Sequence, residues 1–141
     1  MSNIKNWKIL ERYVKIIEKK IENIQLSLNN CRCYITSLEN KVYKIDQNII
    51  QEQNFVNIND NNSSLYFGLF LNEQNKNKKK LLSDIEIQRK TEIQLENEIH
   101  DMFITKQQYS HIIKNIKKEI KDENANIEQK FLDEWKSSPD I

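Results

Sequence analysis

Turn-forming residues are almost missing from this chain: it holds one glycine, Gly68, and one proline, Pro139, in 141 residues. A compact globule of that length needs more connections than these two can punctuate. No phosphate-cradling loop can be built around a lone glycine. Long apolar runs are also missing. Nothing approaches the roughly 18 residues a membrane span requires, so no transmembrane helix is expected. The opening residues, MSNIKNWKILERY, lack the apolar core of a secretory leader. Two cysteines, Cys31 and Cys33, cannot frame a disulfide scaffold, and a reducing cytosol suits them. Charge of one sign is absent too: 22 basic against 21 acidic residues give a net charge of +1. That balance gives no case for a strongly basic nucleic-acid binder.

What is present is a period. From Trp7, steps of three and four residues land on Leu10, Val14, Ile17, Ile21, Ile24, Leu28, Cys31, Ile35, Leu38, Val42, Ile45 and Ile49, all apolar. A sustained 3.5-residue repeat marks a helix that buries a narrow seam against another helix in a left-handed supercoil. Past Ile49 the seam frays, with Glu52 at a core position and Phe55 and Val56 carrying the apolar face onward. Helix 1 is expected over about 3–58, capped by Ser2 or Asn3. Some 55 residues at about 1.5 Å each make a rod of roughly 80 Å, which needs a partner helix along its length.

Asn59-Asp60-Asn61-Asn62-Ser63-Ser64 is the clearest turn, because Asn, Asp and Ser bond their own backbone outside helices. Ser64 is placed to cap helix 2. The apolar run Leu65 to Leu71, interrupted by Gly68, fits a short strand or the first turns of that helix, and the helix-forming residues beyond favour the helix. A second seam reads Leu81, Ile85, Gln88, Glu92, Leu95, Ile99, Met102, Lys106, Tyr109, Ile113, Ile116 and Ile120. Beyond it, Ile127, Phe131 and Trp135 drift onto a four-residue spacing. Helix 2 is expected over about 65–136, closed by Ser137-Ser138-Pro139 and followed by a short tail, 137–141.

Two long helices joined by one turn of about six residues fold back on each other. The expected fold is therefore all-α, a single long antiparallel two-helix coiled-coil hairpin, with paired residue numbers adding to about 123. Parallel dimerisation of opened-out helices is the structural alternative. In the hairpin, helix 2 overhangs the N-terminus and carries Ile127, Phe131 and Trp135 with no partner from helix 1. Unpaired apolar residues at such an end dock into something more readily than they face water.

Candidate chemistry is sparse. His100 and His111 lie eleven residues apart, about 16 Å along a helix, too far to share a metal. Cys31 fills a seam position and Cys33 does not, which makes one a buried small hydrophobe and the other a bystander thiol. No predictable pocket gathers the carboxylates, so neither catalysis nor a cofactor or metal site is expected. Charge, by contrast, is uneven. Residues 1–20 carry Lys5, Lys8, Arg12, Lys15, Lys19 and Lys20 against Glu11 and Glu18; residues 111–121 carry four lysines against Glu119; residues 122–141 carry six acids against two lysines. Lys76, Lys78, Lys79 and Lys80 form a second basic cluster near the bend. Such patches are either a solvated coiled-coil surface or a means of steering onto an acidic partner. Basic residues are not interleaved with stacking aromatics, so nucleic acid is not an expected partner.

The chain resembles the FliJ/YscO/InvI family, the coiled-coil stalk proteins of flagellar and virulence-associated type III secretion systems. Trp7-Lys8-Ile9-Leu10-Glu11-Arg12 is similar to the opening of the InvI-like branch, and Ser64-Leu65-Tyr66 before a Lys-rich helix is similar to the start of that branch's second helix. The resemblance implies a non-enzymatic, cytoplasmic central stalk, peripheral at the inner-membrane secretion apparatus. It implies as partners a hexameric secretion ATPase, an export-gate protein and secretion chaperones, with no insertion into the membrane. Trp7, Arg12, Ile127, Phe131 and Trp135 would then meet the ATPase, and exposed Tyr66, Phe67 and Phe70 beside Lys78 and Lys79 would meet the gate. The alternatives are a coiled-coil chaperone or tether that captures other helices, and a cytoskeletal or vesicle-tethering fragment of a eukaryote.

Overall fold

The computed structural model describes the backbone of residues 2–58 and 62–137 and the side chains of residues 7–57 and 65–137. Two helices account for all of it: α1, Ser2–Ile58, and α2, Asn62–Ser137. The fold is all-α, two long helices packed against each other as an antiparallel coiled-coil hairpin. Neither helix interior contains proline, and Gly68 lies inside α2 without a positive φ. The run Leu65 to Leu71 is thus helix rather than strand.

The boundaries differ from expectation at the bend. Asn62, Ser63 and Ser64 already belong to α2, so Ser64 is an interior residue of its first turn and not its cap. Residues 59–61 of the expected turn, the expected caps Ser2 and Asn3, and tail residues 138–141 lie outside the described residues or side chains. At the other end Ser137 closes α2: its Oγ donates to the Glu134 carbonyl at 3.2 Å. That bond satisfies one of the four carbonyls a helix end leaves without an intrahelical donor.

The chain divides into two units, Ile24–Glu98 and the terminal pair Met1–Asn23 with Ile99–Ile141. In the first, Cys31 meets Gln88 and Asp46 meets Lys78, so ascending α1 descends α2. In the second, Glu11 meets Lys117, the Tyr13 and Tyr109 rings stand 6.4 Å apart, and Glu18 meets Lys106. The pairing is antiparallel in both. Partner numbers add to between 119, for Cys31 with Gln88, and 128, for Arg32 with Glu96, around the expected value of 123.

All thirteen seam positions from Trp7 to Ile49 are buried or half-buried, and so are all twelve from Leu81 to Ile120. Ile9, Ile16, Ile50, Ile87 and Ile93, which fall off the period, are each about half exposed. The deepest side chains are Leu38 and Ile35, at 2% and 3% exposure, with Ile21, Leu28, Cys31 and Ile113 behind them. Each large aliphatic residue covered in this way stabilises the pair by about 1.5–3 kcal/mol, an upper bound where cover is incomplete. Glu52, expected in the seam, is exposed. A carboxylate held between two helices without a partner would lose its hydration, so the seam opens there instead.

Candidate docking faces

Toward the end of Ile24–Glu98 away from the bend the α2 seam turns polar, at Gln88 and Glu92, opposite the best-covered part of α1. The Cys31 thiol lies 3.4 Å from the Gln88 carbonyl oxygen and 3.6 Å from its Oε1, two acceptors for one weak S–H donor. Around it runs a chain of ion pairs. Arg89 reaches Glu39 at 2.6 Å and Glu92 at 3.6 Å; Arg32 reaches the other oxygen of Glu92 at 3.4 Å and Glu96 at 2.9 Å. Glu92 is the most covered member, and two guanidiniums hold its charge. The Arg32 guanidinium is pushed above its ordinary pKa, first by the hydrogen bond to Glu96 and then by the charge of Glu92, with desolvation opposing. Because the value is raised, this contribution is present at all ordinary pH and fades only as the pH rises past it.

His100 and His111 are exposed, and Glu96, one turn before His100, accepts from Arg32. Among the described residues no group of three or more His, Cys, Asp or Glu converges to hold a metal ion. Cys31 is buried and Cys33 exposed, both free thiols. No described helix is long and apolar enough to cross a membrane.

At the terminal pair, Trp7 is half-buried with the Lys117 Nζ 4.6 Å from its ring centre, and Lys8 stands 5.8 Å away. A cation over an indole face is a favourable contact. Lys117 also binds Glu11 at 3.1 Å, and Lys106 binds Glu18 at 3.4 Å. Those two lysines are engaged within the hairpin. Arg12, Lys15, Lys19, Lys20, Lys114 and Lys118 point into solvent and supply the basic surface of this end.

Every described side chain from Lys121 to Ser137 is exposed. Ile127 and Phe131 each keep 66% of their surface open and Trp135 keeps 72%. Leu132, which the four-residue spacing does not include, lies beside them and widens the face. Drawing the helix as a wheel would have found it, since Leu132 falls about 60° round from Trp135, at the edge of the row. Continuing the heptad past Ile120 lands on Glu123, Ile127, Lys130 and Glu134, so Ile127 keeps the phase while Phe131 and Trp135 step off it. Every face of this segment is exposed, on-phase Ile127 included, so no helix lies against it among the described residues.

At the bend end of Ile24–Glu98, a shallow groove is lined by Glu52, Phe55, Val56, Tyr66, Phe67 and Phe70. The expectation that Tyr66, Phe67 and Phe70 all stand exposed holds for Tyr66 alone. Phe67 and Phe70 are half-buried because they point at α1, while Leu65 and Leu69 join Tyr66 on the outer side. Lys78 is likewise no free charge: its Nζ binds Asp46 at 2.7 Å. Lys76, Lys79 and Lys80 remain exposed.

No protein-family model, curated protein or solved structure matches the chain.

Proposed function

We propose that this chain is a non-enzymatic docking protein, the central stalk of a type III secretion system, which offers its terminal end to a hexameric secretion ATPase and its bend end to an export-gate protein. The observation that carries the reading is the bare face of Ile127, Phe131, Leu132 and Trp135 on an otherwise well-formed helix. Large aromatic and aliphatic side chains held in this way are the anchors from which helix-in-groove contacts are made. Exposed Arg12, Lys15, Lys114 and Lys118 add a positive field that suits an acidic cavity and accelerates encounter. At the bend, Leu65, Tyr66 and Leu69 together with Lys79 make the second contact surface; Phe67 and Phe70 support it from within.

The test is co-purification with secretion ATPases. Ending the chain after Asp122 is expected to abolish capture while the remaining hairpin keeps its helicity by circular dichroism. Undiminished capture by the shortened chain sinks the proposal. A chaperone or helix tether is the second reading, and exposed Leu65, Tyr66 and Leu69 favour it. Under it the shortened chain still captures helices through the bend.

A further inference from the structure

We infer that the face of α2 between Lys121 and Ser137 is a self-recognition surface, which pairs antiparallel with the same segment of a second copy of this chain. Charge borders the apolar face of that segment in a definite order. Ile127, Phe131 and Trp135 run up one side of the helix at four-residue spacing. Lys130 and Glu134 flank them on one edge; Glu128 and Lys136 flank them, beside Leu132, on the other. None of these four charged residues takes part in an ion pair among the described residues. Within one helix Lys130 precedes Glu134, the less favourable order for an i,i+4 pair, so their own helix competes weakly for them.

Two such helices laid antiparallel with Phe131 on Phe131 put Ile127 of each copy against Trp135 of the other. In that arrangement like edges face like edges. Lys130 of one copy meets Glu134 of the other twice over, and Glu128 meets Lys136 twice over. The segment is thus complementary to itself in shape and in sign. Four-residue ridges interlocking in this way cross at about 50° rather than lying in a heptad supercoil. The contact stays below the roughly 1,200 Å² of a standard interface and so belongs with weak, transient pairs. Self-pairing also covers Phe131 and Trp135, so a paired chain cannot present them to any other helix. The inference stands whether or not the partner proposed above is right, because it concerns this segment and its own copy.

The test is sedimentation of the full chain over a concentration series, with far-UV circular dichroism as a check on folding. The mass is expected to rise with concentration from 17.0 kDa toward twice that value, and Phe131→Ser is expected to hold it at the monomer. Glu134→Lys alone and Lys130→Glu alone each set like charges face to face and are expected to weaken association by more than about tenfold. Mixing those two variants restores opposite charges at both contacts and is expected to restore association, as is combining them in one chain. The inference is overturned if the chain stays monomeric at about 200 µM, a concentration that reveals dissociation constants well into the weak range. It is equally overturned if Phe131→Ser leaves association intact, or if the mixed variants stay apart. Loss of self-pairing would leave ATPase capture unanswered, and loss of capture would leave self-pairing unanswered, so the two proposals fail separately.

Discussion

Leu28 to Leu38 of α1 and Ile127 to Trp135 of α2 are both helical and both present a row of large apolar side chains, yet the first is sealed and the second is bare. A facing helix separates them. Leu28, Cys31, Ile35 and Leu38 alternate three and four residues and stay on one line against α2. Around Ile127, Phe131 and Trp135 every side chain from Lys121 to Ser137 is exposed, and Ile127 is bare although it keeps the heptad phase. Apolar content and phase alone therefore do not decide what a helix covers; a neighbour on the same side does.

The contrast can be broken by mutation. The largest effect is expected at Leu38, where Leu38→Ala removes the best-covered side chain and should cost about 2–4 kcal/mol, read as a lower urea midpoint with unchanged slope. Next is Glu92→Leu, which replaces the covered carboxylate with an apolar seam residue. It is expected to gain about 1 kcal/mol in thermal unfolding and to make the midpoint less sensitive to salt. A smaller gain is expected from Gly68→Ala. A methyl group added there meets nothing within 4 Å, and the helix should gain about 0.5–1 kcal/mol from lost unfolded-state freedom, seen as a higher melting midpoint. The smallest effect is expected on the bare face: Ile127→Ser should change stability by less than about 0.5 kcal/mol. A large loss at Ile127 would mean that this face is covered within the hairpin after all, and the contrast would collapse.

Much of this arrangement was legible in the letters. The seam from Trp7 to Ile49 was readable because a 3.5-residue period leaves few other ways to bury it. The antiparallel sum of about 123 followed from a single polar turn. What was not legible depended on the partner helix. Glu52 sits on the right phase for the seam, but its carboxylate stays in water. Phe67 and Phe70 look like the rest of an aromatic cluster until α1 is placed beside them, and Lys78 looks like one lysine among four until Asp46 comes within reach. Ser64 resembles a cap because Ser favours that role, while α2 begins two residues earlier. The ion-pair chain through Glu92 was visible only as polar dilution of a seam, since its members come from both helices. The docking roles of Arg12 and Trp135 rest on exposure and charge together with the resemblance, that of Trp7, half-buried beside Lys117, on the resemblance alone, and co-purification decides their partners.

The two thiols, two residues apart on α1, make the molecule its own stopwatch. Cys33 is exposed and Cys31 buried, so an alkylating reagent is expected to reach the first directly and the second only when α1 and α2 part around it. The ratio of the two labelling rates, taken in one sample, then reads the free energy of that local opening without any engineered label.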